Sequence, residues 1–285
     1  MQFPRPVNHA RAAKRFTKAS ENTRLTNSPV TSRCSHACCK VFASRAAQPR
    51  GRQWRRRVHL QRFAGAGELV LDGAASVTPD GLLRLTGGSR TADQKGHAFY
   101  PAPLGFRYGS DAGGVRSFMS TFVFSIMSSF TDLAGHGIMF TVSSTRDFSG
   151  AAPAEYLGLF NRTTNGPASR LFAVELDTIY TPEFHDIDDN HVGVDVNGLV
   201  SVNASTAGYY TPGGSFKNLS LTSRRAMQVW VEYDAGDARL DVTLHQLTKP
   251  KPTRPLLTVN TNLSTAFSDQ MCVGFVDGLR RSLRS

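Results

Sequence analysis

Residues 172–201 read FAVELDTIYTPEFHDIDDNHVGVDVNGLVS and bring Glu175, Asp177, Asp186, Asp188, Asp189 and His191 close together in sequence. Carboxylate oxygens suit hard cations such as Ca²⁺ and Mn²⁺, and a single imidazole favours a transition metal in one of two neighbouring sites. Two cations side by side would neutralise acids that otherwise repel at short range. The competing interpretation is a solvated acidic loop, and residue types alone leave both open. Catalysis has weaker footing. Glu-x-Asp on a strand also occurs in jelly-roll glycoside hydrolases, but these need a second glutamate two or three residues after the Asp, where this chain has Ile179 and Tyr180. Retaining glycosidases require two carboxylates about 5 Å apart in the cleft. No nucleophile-elbow spacing and no phosphate-cradling Gly loop is present, so the chain reads as a non-enzyme.

The acids must be held by strands. In FAVELD, period-2 alternation sets Glu175 and Asp177 on one face and Leu176 on the other. His191 opens the next strand. From Phe63 onward, short apolar or alternating runs recur between turn signals, among them RSFMSTFVFSI, GHGIMFTV, NHVGVDV, MQVWVEYD and MCVGFV. Phe118, Phe122, Phe124 and Ile126 mark one inward face. Ala238, Leu240, Val242 and Leu244 mark another, alternating with Arg239, Asp241, Thr243 and His245 on the side expected to be wet. DAGDA between two such runs signals a hairpin, with Gly236 expected to take the positive φ. No helical stripe of a dozen residues occurs, so the fold class is all-β, a sandwich or barrel.

The chain has 285 residues and a formal charge of +11. That charge is unevenly placed: residues 1–62 hold 15 Lys/Arg against Glu21 alone, while residues 63–285 carry −3. Residues 1–57 lack periodicity and large apolar side chains and read as a disordered basic tail. The tail has no apolar stretch typical of a secretory signal, although its Arg-rich, acid-poor composition is similar to a transit peptide. RGRQWRRR reads either as a solvated run or as a nucleic-acid patch confined to the tail, with no nucleic-acid partner expected for the domain. Cys34, Cys38 and Cys39 lie in the tail, packed too closely for a four-ligand zinc site, and Cys272 is the domain's lone cysteine. No apolar run approaches the roughly 18 residues of a membrane span.

The order E-x-D, eight residues, D, four residues, H, followed by VGVDVN, resembles the metal-binding segment of the legume (L-type) lectins. FAGAGELVLDGAASVTPDGLLRLTGG, KGHAFYPAPLGF, YLGLFN and MQVWVEYD are similar to the ectodomains of plant L-type lectin receptor kinases, without their transmembrane or kinase regions. The resemblance implies a jelly-roll β-sandwich of two large antiparallel sheets. It sets the lectin-like domain at 58–276 and an irregular tail at 277–285. The family's last strand is expected to be missing, because the chain reads DGLRRSLRS after MCVGFV, and the unfamiliar start and end suggest a misassembled product.

The same resemblance implies a carbohydrate-binding domain in which a Ca²⁺/Mn²⁺ pair organises a shallow sugar site. Glu175, Asp177, Asp186 and His191 would bind Mn²⁺, with Ser201 holding one of its waters. Asp177 and Asp186 would bridge to Ca²⁺, joined by the Ile179 carbonyl and by Thr181, which stands where the family has Asn. The sugar-facing positions are His136 (an Asp in the family), Glu155 (a Gly), Ile179 (an aromatic) and Thr181. A neutral imidazole offers one acceptor where a carboxylate offers about four lone-pair sites. A sandwich that has lost sugar binding and serves as a protein- or apolar-ligand module is the alternative. Expected partners are a glycan or glycoprotein and a second copy bound through the back sheet, and the implied location is extracellular or at the plasma membrane. Sequons at Asn161, Asn203, Asn218 and Asn262 point the same way.

Overall fold

Alternation is realised most cleanly in Met227–Asp234, where Met227, Val229, Val231 and Tyr233 are buried and the intervening residues are half-buried. The computed structural model describes residues 38–43, 69–87, 93–108, 114–127 and 135–279. The chain divides into two units, Met1–Arg33 and Cys34–Ser285, and every described element belongs to the second. The strands are β1 Cys38–Ala43, β2 Val70–Gly73, β3 Ser76–Val77, β4 Leu83–Arg84, β5 Gln94–Phe99, β6 Leu104–Gly105, β7 Phe118–Met127, β8 Gly137–Ser143 and β9 Leu171–Asp177. They continue as β10 His191–Val196, β11 Asn203–Thr206, β12 Gly208–Tyr210, β13 Phe216–Asn218, β14 Met227–Asp234, β15 Arg239–Gln246, β16 Leu257–Asn260 and β17 Gln270–Leu279. Among the described residues the helical content is short 3₁₀ turns, none long or apolar enough to cross a membrane.

Two antiparallel sheets form the sandwich. One runs β16-β15-β14-β7-β1-β4-β3 and the other β11-β10-β9-β8-β17-β5-β2, while β12 and β13 make a separate hairpin. Between the sheets, Phe122 of β7 meets Phe140 of β8 (5.7 Å between centroids) and Phe275 of β17 (5.0 Å). Aromatic pairs of this kind contribute about 0.5–1.5 kcal/mol each beyond area burial.

The second sheet is apolar on both faces. Phe172, Val174 and Leu176 of β9 join the inter-sheet core, whereas Leu171 and Ala173 belong to a smaller outer cluster with Phe148, Leu157, Leu159, Phe160, Phe184 and Leu199. That outer layer comes from loops folded across the sheet. Glu175 and Asp177 share the parity of Leu171 and Ala173, so they lie on the outer face beneath the loops.

Four expectations are corrected. Residues 1–57 are not wholly a disordered tail, because Cys38–Ala43 forms β1, pairing antiparallel with β7 from Cys38↔Met127 to Ala43↔Phe122 and with β4 at Lys40↔Arg84 and Val41↔Leu83. The rest of that segment lies outside the described residues. Residues 277–279 of the expected irregular tail are strand instead, since β17 continues through Asp277 to Leu279, paired with β5 up to Leu279↔Gln94, and 280–285 lie outside the described residues. The expected wet face of β15 is only partly wet: Thr243 and His245 are buried, and Tyr209 of the β12–β13 hairpin stacks on His245 at 4.0 Å. At the β14–β15 turn the positive φ falls on Ala238 (48°), not on Gly236.

Candidate functional site

The site is built on the register of β9 against β10. His191 pairs with Asp177 and Gly193 with Glu175, which places these side chains side by side on the outer face. Glu175, Asp177 and His191 are all buried, and one ligand atom from each lies within 4.8 Å of the others. A Cβ on Gly193 would fall 2.1 Å from both Glu175 Oε1 and Ser201 Oγ. Glycine is therefore required here for the Glu175 carboxylate to occupy the space between the strands.

The loop 178–190 folds back over this cluster through its own N–H groups. Ile179 N–H donates to Asp177 Oδ1 (2.6 Å) and Thr181 N–H to Asp186 Oδ2 (2.6 Å). His191 Nδ1 bonds the Asp188 carbonyl (2.8 Å), which assigns the ring proton to Nδ1. The other nitrogen, Nε2, then faces Glu175 Oε1 at 3.4 Å and Asp186 Oδ1 at 3.9 Å, the orientation an imidazole adopts toward a cation. Asp188 is tied into the scaffold by Asn190 N–H and the Thr206 hydroxyl, while Asp189 is exposed.

Burial, and then the neighbouring Glu175, push Asp177 well above the usual carboxylate range. Burial raises Asp186 too, with the Thr181 N–H pulling the other way. At His191 burial opposes the charge, but Glu175 and Asp177 outweigh it and lift the imidazole to about 9. The raised carboxyls and imidazole take up protons more readily than free groups, and ligation of a cation would compete with that uptake.

Asp195 was not anticipated. It shares the face of His191 and Gly193, is fully buried, and is driven well upward by burial and by Glu175. Ser201 Oγ lies 2.5 Å from Glu175 Oε1 and 2.8 Å from Asp195 Oδ1. The single hydroxyl proton of Ser201 can serve only one of these two acceptors at a time. Asp195 Oδ2 has no hydrogen-bond partner among the described residues. The available signal was an acid interrupting the apolar strand VGVDV at the parity of His191.

The positions expected to face a sugar lie on three loops. The carbonyl of His136 accepts the Thr178 N–H (3.2 Å), its own N–H donates to Gly278 O (3.2 Å), and its side chain is buried. Glu155 sits in the 3₁₀ turn Ala154–Tyr156, and the Tyr156 ring packs edge-on to Phe184, 5.6 Å away on the loop that carries Ile179 and Thr181. The Glu155 loop is anchored to β5. Lys95 Nζ donates to the carbonyls of Phe148 (2.8 Å), Ser149 (2.7 Å) and Ala151 (2.9 Å), and His97 Nε2 bonds Gly158 O (2.7 Å). Ile179, Thr181 and Glu155 are half-buried and Tyr180 is exposed.

A two-sheet sandwich with acids and one imidazole gathered beneath loops on one sheet face is of the legume lectin class. The legume lectin domain model matches residues 57–278, and the chain belongs to that family. It is similar to L-type lectin-domain containing receptor kinase SIT1 of Oryza sativa subsp. japonica, 51% identical over 219 residues, covering 75% of this chain and 32% of that protein. Receptor kinase IV.1 of Arabidopsis thaliana is 47% identical over 209 residues, covering 73% of this chain and 30% of its own length. The chain thus spans about a third of the curated relatives it matches. Among solved structures, lectin I from Ulex europaeus in complex with the methyl glycoside of α-L-fucose is 26% identical with TM-score 0.62, covering 76% of this chain and 87% of that one. The homologues are lectins and lectin receptor kinases, and nothing in them supports the glycoside hydrolase alternative.

Proposed function

We propose that the domain is a carbohydrate-binding module whose sugar face is organised by a Ca²⁺/Mn²⁺ pair. The observation that carries this reading is the buried group Glu175, Asp177 and His191 in the space cleared by Gly193. Buried carboxylates without a countercharge are costly, and a divalent cation is the natural compensation. The donor set fits: Glu175, Asp177, Asp186 and His191 would hold Mn²⁺, with Ser201 beside it. Asp177, Asp186, the Ile179 carbonyl and Thr181 would hold Ca²⁺. The cations would supply fixed positive charge and a rigid loop. His136, Glu155, Ile179 and Thr181 would then meet the sugar. Such a domain would act outside the cell or at its surface, pairing with a second copy through the back sheet.

Glycan-array binding with and without a chelator tests this. Binding lost on chelation and restored by Ca²⁺ with Mn²⁺ supports it. The second reading, a lectin-like module without sugar affinity, is favoured by one observation: His136, at the family's sugar-bonding position, is only 7% exposed. Metal-dependent thermal stabilisation without any glycan signal would select that reading. Unchanged metal stoichiometry in Asp186→Ala would remove the cation assignment itself.

A further inference from the structure

Strand β13 carries Phe216 and Asn218 two residues apart, so both project from the same face of the β12–β13 hairpin. Asn218 begins the sequon Asn218-Leu219-Ser220. Directly across from Asn218 in the ladder is Gly208, and across from Phe216 is Tyr210. A Cβ on Gly208 would fall 2.5 Å from Phe216 Cζ. The phenyl ring therefore leans over the glycine, next to Asn218, in space that any other residue at 208 would fill. Its other side is braced by Tyr210 at 5.2 Å between centroids, and Tyr210 is itself capped by the Arg254 guanidinium at 3.6 Å. Despite this support, Phe216 remains 36% exposed, an apolar ring held in place with one face toward solvent.

The four sequons are not equivalent. Asn161 spends its amide on Gly150 O and on the N–H groups of Thr163 and Thr164. Asn203 Nδ2 bonds Thr258 O, and Asn262 Oδ1 caps a 3₁₀ turn through Ser264 N–H. Asn218 is exposed and makes no side-chain hydrogen bond among the described residues.

We infer that Asn218 is an N-glycan acceptor and that the Phe216 ring is a built seat for the first sugar of that glycan. In the transfer, Asn218 Nδ2 loses one proton and bonds the anomeric carbon of a lipid-diphosphate-linked oligosaccharide. The sugar's C–O bond to the diphosphate breaks, and the electron pair leaves with the diphosphate. The axial C–H face of the attached pyranose then covers the exposed ring, removing apolar surface from water. The covalent sugar would thus stabilise the hairpin as well as mark it.

The test uses the full chain behind an added secretion leader in a plant or mammalian cell. Enzymatic glycan release in ¹⁸O-water followed by mass spectrometry should tag Asn218. Asn218→Gln should lower Tm by about 2 °C or more when Phe216 is present. In Phe216→Ala, and in Phe216→Leu as a bulk-preserving second variant, the same Asn218→Gln change should leave Tm unmoved. An untagged Asn218, or an equal Tm loss in all three backgrounds, overturns the inference. Neither readout involves the cation cluster, so failure here and failure of the lectin reading are separable.

Discussion

Replacing Asp277 by Asn should stabilise the protein at pH 8 and do little at pH 4. Asp277 points into the space between the sheets. It accepts a 2.5 Å hydrogen bond from Thr86 Oγ1 on Oδ2, and Oδ1 has no partner among the described residues. Burial lifts its carboxyl from 3.8 to about 7, with the Thr86 hydroxyl pulling modestly the other way. A folded-state pKa above the unfolded value means that the native chain binds the extra proton, so stability falls as pH rises through that window. The gap of roughly three pH units corresponds to about 4 kcal/mol lost between pH 4 and a pH above 7. Asn is isosteric, keeps an acceptor for Thr86 and carries no charge. Urea unfolding of both proteins in chelator, at pH 4, 6 and 8, reads the difference. The buried acids Asp177, Asp186 and Asp195 impose a pH slope of the same sign, but it is common to both proteins and cancels in the comparison. The expected variant advantage grows from near zero at pH 4 to a few kcal/mol at pH 8. A constant difference across that range would refute the assignment of Asp277 as a buried acid ionised at a cost.

Gly193→Ala should displace the Glu175 carboxylate and weaken Mn²⁺ affinity at least 10-fold, measured by calorimetry, while overpacking costs about 1–3 kcal/mol of stability. Because His191 titrates at about 9 in the cation-free chain, Mn²⁺ binding should tighten as pH rises from 6 toward 9 and release protons, seen as a buffer-dependent binding enthalpy. Phe267 is fully buried against Phe106, Phe118 and Phe172, so Phe267→Ala should lower unfolding free energy by about 3–5 kcal/mol without altering metal stoichiometry.

What the sequence revealed follows from what is local. Period-2 alternation identified the inward faces of β7 and β15, and the order of Glu175, Asp177, Asp186 and His191 singled out the acid–imidazole cluster that the fold brings together. Thr243 and His245 could not be assigned to the interior, because the hairpin covering them is remote from β15 in sequence. Alternation placed Glu175 and Asp177 together without saying which face they occupy, since both faces of β9 are apolar. β1 was missed because Cys38–Ala43 lies in a basic, aperiodic stretch and is specified only by its partners β7 and β4. The turn at Ala238 shows a related limit: Gly236 was the expected site of positive φ, but its N–H bonds Asp234 Oδ1 and the unusual conformation moved to the strand entry.

The second apolar layer on the loop-covered sheet has a consequence for how the molecule opens. The inter-sheet core is sealed by strands on both sides, so its amides should exchange only on global unfolding. The outer layer rests on the same strands but is roofed by irregular chain, fastened at Lys95 and His97 and at the acid–imidazole cluster. Those fastenings can release while the sandwich beneath stays intact. Residues 144–160 and 178–190 should therefore open together at a lower free energy than the strands beneath, read as faster amide exchange across both segments. A bound cation would raise that energy for the whole unit at once.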